Sequence, residues 1–276
     1  MSKTMILTGI LFLCISPIYA QTAQDYLNRG KADYKQENYP QAILDLSKAI
    51  QTDPNNAEAY VERSLVYIKL KNFLQAIADC NKAIDIDPNN DEAYINRGYA
   101  YSLQGELVQA VRDCNKAIAI NPKSAQSYDY RGIDFANQGD FSKAVSDFMK
   151  AIQLNPKFEE AYNNLGTAYD RQGYFLPAIH NYTKAIELNP KFADAYDNRG
   201  YVYAEQGKFT QALNDFAKAI EIYPNDALAL YYRAFAYFTK KDYDNAWDSL
   251  HKAEGFGYVP DSQFMAKLKK VTGRND

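Results

Sequence analysis

Apolar and small residues recur along the chain in two helical registers separated by turn residues. In residues 91–124, Tyr94, Gly98 and Tyr101 stand at i, i+4 and i+7, one face of a first helix. Gln104-Gly105 interrupts that register, glycine supplying the backbone freedom a helix end needs. Leu107, Ala110, Val111, Cys114, Ala117 and Ile118 then mark a second helix. Asn121-Pro122 closes it, because the residue before proline is pushed out of helical geometry. The pattern predicts a helix, a tight turn and an antiparallel helix.

That pair recurs. Pro54, Pro88, Pro122, Pro156, Pro190 and Pro224 stand 34 residues apart and define seven units: 23–56, 57–90, 91–124, 125–158, 159–192, 193–226 and 227–260. The twentieth place is alanine in every unit (Ala42, Ala76, Ala110, Ala144, Ala178, Ala212, Ala246). So is the twenty-seventh (Ala49, Ala83, Ala117, Ala151, Ala185, Ala219, Ala253). Small residues let two short helices approach closely. A pair this short cannot bury its own apolar face, so neighbours must stack. The expected fold is all-α, a solenoid of antiparallel helix pairs.

Both ends differ from the middle. After GFGYVP at 255–260, Asp261-Ser262 offers a helix cap, and Phe264, Leu268 and Val271 recur at i, i+4 and i+7. Residues 261–276 are therefore expected to form a capping helix and tail, with Lys267, Lys269 and Lys270 complementing the helix dipole. A basic helix lying on a membrane surface is the alternative. At the other end, Lys3 precedes an apolar run at 5–15, and SPIYA ends at Ala20. This is the layout of a secretory signal peptide, an apolar N-terminal core helix being the alternative. Leu13 stands before Cys14 where a bacterial lipobox wants a small residue, so Cys14 reads as part of the run. The mature chain is expected to begin at Gln21 and to be periplasmic or secreted; whether the segment is cleaved or kept as an anchor stays open.

The repeat resembles the tetratricopeptide repeat family across 23–260. That pattern has an aromatic at the fourth place, a small residue at the eighth, an aromatic at the eleventh, alanines at the twentieth and twenty-seventh, and proline at the thirty-second. The third unit supplies Tyr94, Gly98, Tyr101, Ala110, Ala117 and Pro122. Departures sit toward the ends: Asp33, Ser64, Leu230 and Tyr258 replace pattern residues. The resemblance implies a right-handed superhelix whose inner groove is lined by first helices at places two, five, six, nine, twelve and thirteen.

On that implication three zones follow. Units one to three present Leu27, Val61, Leu65, Ile68, Ile95, Tyr99 and Leu103, an apolar wall. Units four to six present Asp129, Glu160, Asp170, Asp194, Asp197 and Glu205 against Arg171, and unit seven presents Tyr231, Tyr232, Phe235 and Phe238. Asn28, Asn96, Asn164 and Asn198 share the sixth place and could bind a peptide backbone as an asparagine ladder, or merely suit a polar helix surface. Tyr99, Tyr130 and Tyr201 are the leading contact candidates. The family's carboxylate clamp for C-terminal tails needs basic residues where this chain has Leu27, Lys31, Glu62, Glu92 and Asn96, so that mode is not expected.

At the seventh place, where the family usually has leucine, stand Arg29, Arg63, Arg97, Arg131, Arg199 and Arg233; unit five has Leu165. The twenty-third place holds Asp45, Asp79, Asp113, Asp147, Asn181, Asp215 and Ser249. The unit that lacks the arginine also lacks the aspartate, which predicts pairing within each unit, with Asp248 substituting in the seventh. A row of solvated charges is the alternative.

Composition narrows function further. Charged residues at 24% and apolar ones at 47% fit a soluble globular chain, and a formal charge of −3 disfavours nucleic acid. His180 and His251 lie in different units with no nucleophile at triad spacing. No phosphate-binding glycine loop is present, and no metal, cofactor or small-molecule substrate is expected. Cys80 and Cys114 read as core thiols. The expected role is a non-enzymatic scaffold binding a protein or peptide, basic residues favoured. Self-association through the aromatic end is the rival.

Overall fold

A computed structural model describes residues 21–274; the expected export segment at 1–20 lies outside the described residues. Among the described residues there are fifteen helices and no strand. The units contribute α1 (Ala23–Lys35) and α2 (Tyr39–Thr52), α3 (Ala57–Lys69) and α4 (Phe73–Ile86), α5 (Asp91–Leu103) and α6 (Leu107–Ile120), and α7 (Ala125–Asn137) and α8 (Phe141–Leu154). They continue with α9 (Glu159–Arg171) and α10 (Phe175–Leu188), α11 (Ala193–Glu205) and α12 (Phe209–Ile222), and α13 (Ala227–Thr239) and α14 (Tyr243–Gly255). The last helix is α15 (Ser262–Thr272). No helix among the described residues is long and apolar enough to cross a membrane.

Local chemistry sets the boundaries. Asn56, Asn90 and Ser124 cap first helices by accepting from the backbone N–H three residues on, and Thr22 forms a reciprocal capping box with Asp25. The turn inside each pair needs one left-handed residue. Gly105, Gly139, Gly173 and Gly207 supply it at φ between 72 and 82°, while Glu37, Lys71 and Lys241 hold the same place at φ 60, 59 and 64°. An L-residue gives up roughly 1 kcal/mol to do so.

All seven alanines at the twentieth place and all seven at the twenty-seventh are 0% exposed. The eighth place is small because the partner helix is close: a Cβ on Gly132 would stand 2.7 Å from the Phe148 ring, and one on Gly166 2.7 Å from Tyr182. Each helix packs on its sequence neighbours. The first helices of successive units also touch, from α1 against α3 through to α11 against α13. They therefore form one continuous row, the concave side of the solenoid. At the far end α15 lies on α14 and buries Phe264 and Leu268 among Ala234, Ala246, Trp247 and Leu250.

The arginines bind their own units' aspartates. Arg97 donates from Nε and Nη2 to Asp113 at 2.7 and 2.8 Å, and Arg63, Arg131 and Arg199 repeat this fork on Asp79, Asp147 and Asp215 at 2.7–2.8 Å. Arg29 holds Asp45 in the same way. The fork matches a carboxylate with two parallel bonds, and the aspartates can therefore be buried. Tyrosines at the fourth place lie beside the guanidinium, Tyr94 at 5.4 Å from Arg97 and Tyr128 at 5.5 Å from Arg131. A third arm crosses to the preceding unit: Nη1 reaches Ser47, Asn81, Asn115 and Thr183 from Arg63, Arg97, Arg131 and Arg199. Unit five breaks the series with Leu165, and its counterpart in the preceding unit is Met149. The expected Asp248 substitute is not used: Arg233 donates to Ser249 Oγ at 3.0 Å, and Asp248 pairs with Lys252.

Candidate functional site

The concave row brings the groove residues to one side, but it sorts them differently from the sequence reading. Leu27, Val61, Ile95 and Ile68, expected in an apolar groove wall, are 0–6% exposed and belong to the core between units. The fifth and twelfth places turn inward here because successive first helices are in contact. Asp129, expected as a groove carboxylate, is likewise buried at 2% exposure. Leu65 and Tyr99 are half-buried, Leu103 is exposed, and Tyr99 stacks on Tyr130 with ring centroids 4.8 Å apart.

The asparagines of the sixth place are mostly engaged. Asn96 is buried and donates to Ser64 Oγ at 3.2 Å. Asn164 donates to Asp129 Oδ1 and Asn198 to Asn163 Oδ1, both at 3.0 Å. Asn28 is exposed and bonds Gln24 of its own helix. Three of the four amide nitrogens thus tie one unit to the one before. Asn163, which reasoning from the sequence passed over, is the acceptor in one of these ties; its signal was its place, the fifth, which Leu27, Val61 and Ile95 fill in units one to three.

A concavity lies over units five to seven. It encloses about 510 Å³ between α9, α11 and α13, with Asp170, Arg171, Asp197, Tyr201, Glu205 and Tyr232 in its lining. Tyr201 donates to Glu205 at 3.2 Å and meets Tyr232 edge-on at 5.1 Å. Burial raises Asp170 above its ordinary value against the opposing pull of Arg171. Burial, reinforced by the neighbouring Asp226 carboxylate, raises Asp197 to about 9. Asp197 Oδ1 is buried without a hydrogen-bond partner. A concavity with surplus acidic groups and aromatic walls can accept hydrogen-bond donors and cations.

The other places differ. Tyr231 packs on Tyr258 and Phe264 at 4.5 and 5.8 Å, and Phe235, 44% exposed, and Phe238 also meet Phe264. Most of the aromatic end is therefore occupied by α15. Lys31, the one basic residue in the tail-clamp places, is held by Glu58 at 2.7 Å and Glu62 at 3.1 Å. Cys80 and Cys114 are free and buried, and burial pushes the Cys80 thiol up to about 12. His251 stacks on Trp247 at 4.8 Å.

The tetratricopeptide repeat model matches residues 91–124, and a TPR repeat model matches 30–71, 65–105, 132–173, 177–207 and 200–241. Solved structures agree in fold. The APC/C hetero-tetramer Cut9-Hcn1 gives a TM-score of 0.75 at 19% identity, covering 91% of this chain and 49% of that one, so this chain spans about half its length. A tetratricopeptide repeat protein from Parabacteroides merdae ATCC 43184 gives 0.66 at 19% identity, covering 92% of this chain and 100% of that chain. YrrB, described as a TPR protein with an unusual peptide-binding site, gives 0.50 at 25% identity, covering 67% of this chain and 95% of that one. No curated protein sequence matches significantly.

Proposed function

The chain belongs to the tetratricopeptide repeat family, and on that premise we propose that it is a non-enzymatic scaffold that binds a protein segment along its concave face, outside the cytoplasm. The observation that carries the reading is the concavity over units five to seven, where three first helices bring tyrosines and carboxylates around about 510 Å³. Aromatic side chains in a well-packed recess supply most of the energy of a protein interface. Surplus carboxylates act on specificity and encounter rate, and favour a partner segment carrying lysine or arginine. The peptide-binding site named for YrrB supports a peptide ligand by analogy. Export is supported by the layout of residues 1–20, with its short basic start and apolar run.

Capture of envelope and secreted proteins on residues 21–276 tests the groove. A Tyr201→Ala, Glu205→Gln variant that stays folded is expected to lose the retained protein. Equal retention by both baits would move the contact off the concave face. Fractionation of the full-length chain, with N-terminal sequencing of the product, tests export: a cytoplasmic protein still carrying Met1 would overturn that part. The rival reading, self-association through the aromatic end, is disfavoured because Tyr231 and Phe238 are packed against the chain's own α15.

A further inference from the structure

The fifth place is a core place in units one to three, where Leu27, Val61 and Ile95 fill it. In units four to six the same place holds Asp129, Asn163 and Asp197. A polar group sunk between two first helices needs a partner. Twice the next unit provides one from its sixth place: Asn164 for Asp129, and Asn198 for Asn163. At the third step the sixth place is Tyr232, which carries no amide, and Asp197 Oδ1 has no partner. The series stops at the concavity over units five to seven, which Asp197, Asn198 and Tyr232 all line.

We infer that this concavity is the seat of one basic side chain, lysine or arginine, of the partner segment, whose N–H groups supply at Asp197 the donor that unit seven lacks. The inference rests on the groove-binding reading. Tyr201 and Tyr232, crossed at 61°, offer ring surface to the apolar stem and to the cation. Charge selects the cation over a neutral amide: Asp170 and Glu205 outnumber the single guanidinium, Arg171, and Asp197 adds a third carboxylate once its proton is displaced. An amide would satisfy Asp197 and leave that imbalance. A metal ion is a poorer occupant, since among the described residues no three His, Cys, Asp or Glu side chains gather as a ligand set.

The proton is the competitor. Asp197 is faced by Asp226 at the start of α13, by Asp194 on its own helix and by Asp215 on α12; Asp170 and Arg171 of α9 lie across the concavity, and Glu205 lines it from the far end of α11. Burial and the Asp226 carboxylate keep it protonated at neutral pH. A cation that bonds the carboxylate displaces that proton, so affinity rises with pH.

The probes are blocked lysine amide, blocked arginine amide, blocked norleucine amide and spermidine, titrated against isotope-labelled residues 21–276 and followed through the Asn198 side-chain and Tyr201 backbone resonances. Both basic amides are expected to saturate these shifts and norleucine amide is not, with binding at least about fivefold tighter at pH 8 than at pH 6. Asp197→Asn should weaken the basic amides about tenfold or more and abolish the pH dependence. Asn163 holds the equivalent place in unit five, so the variant is expected to fold, as circular dichroism will verify. Equal shifts with norleucine amide, or unchanged binding by Asp197→Asn, would overturn the proposal. So would spermidine binding far more tightly than either amide, which would make the concavity a free-polyamine site. If partner capture succeeds and the basic amides do not bind, the seat fails and the groove reading stands. Amide binding without any captured partner overturns the groove reading, and with it the partner clause of this proposal.

Discussion

Arg97 holds Asp113 of its own unit through two bonds, at 2.7 and 2.8 Å, and Asn81 of the preceding unit through a third at 2.6 Å. One side chain therefore joins three helices, α5, α6 and α4. Asp113 is 4% exposed, so its charge is tolerable only while the guanidinium is present. Arg97→Leu is expected to cost about 3 kcal/mol in urea melts, because it strands a buried carboxylate. Adding Asp113→Asn should recover at least about 1 kcal/mol of that. Unit five already runs on Leu165 and Asn181, so the double variant copies a natural solution. Superimposable melts for the single and double variants would refute the coupling.

In most units the eighth and twenty-fourth places compensate each other in volume, unit three with Gly98 and Cys114 being the exception. Gly132 faces Phe148, Gly166 faces Tyr182 and Gly200 faces Phe216, whereas Ser64 stands in the unit of Cys80 and Ala234 in that of Leu250. Gly132→Ser forces the Phe148 ring aside and should cost about 2 kcal/mol. Phe148→Cys alone empties space and should cost about 3 kcal/mol. The double variant rebuilds the pair of unit two, and its loss should fall at least about 1 kcal/mol short of the sum. Simple additivity in a melting series would show that the two places do not share one volume.

The helices, their pairing and the intra-unit ion pairs were legible because they repeat: a residue type that returns at one place in seven units reports its geometry without any other sequence. Arg97 and Asp113 could be paired because Leu165 and Asn181 changed together. The groove was less legible. Leu27, Val61 and Asp129 occupy a place expected to face the ligand, yet contact between successive first helices turns it inward. That contact depends on the stacking of whole units, which no single helical period encodes. The third arm of the arginines was missed for the same reason, since Ser47, Asn81, Asn115 and Thr183 look like ordinary surface residues until the next unit is stacked on them. The orphan at Asp197 needed both facts, an inward fifth place and a donor from the following unit.

Three buried carboxyls set the pH dependence of stability. Burial raises Asp134 to about 6, Asp129 to about 7 and, with Asp226 adding to it, Asp197 to about 9. Each folded value lies above the roughly 3.9 of an unfolded aspartate, so the folded chain holds protons that the unfolded chain releases. Stability therefore falls as pH rises from about 4, and the fall ends once each folded value is passed. Asp45 works in the opposite sense. Its bonds from Arg29 hold it below its ordinary value, and its contribution is lost as pH drops through that lowered value. Thermal melts of residues 21–276 are expected to peak on the acid side, near pH 5, and to decline to pH 8. A variant with Asp129→Asn, Asp134→Asn and Asp197→Asn should melt roughly 5 °C or more above wild type at pH 8 and show a flatter profile. A wild-type melting temperature that rises from pH 5 to pH 8 would contradict the assignment.

The cap provides its own probe. Trp247 is the sole tryptophan, 2% exposed, and donates from Nε1 to Thr272 of α15 at 3.0 Å. Phe264 fixes α15 by meeting Tyr231, Phe235 and Phe238 at 5.8, 5.8 and 5.4 Å. Phe264→Ala removes those contacts together, a loss of about 3 kcal/mol for a buried ring. Because each unit of a solenoid contacts only its neighbours, the damage should stay local. The red shift of Trp247 fluorescence is then expected at a urea concentration lower by about 1 M or more, while the far-ultraviolet circular dichroism transition of the remaining units moves little. The same variant uncovers Tyr231 and Phe238, and light scattering should show stronger concentration-dependent association than the wild type. If the fluorescence and dichroism transitions shift together, the seven units and their cap melt as one cooperative body, and α15 stabilises the whole solenoid rather than its last pair.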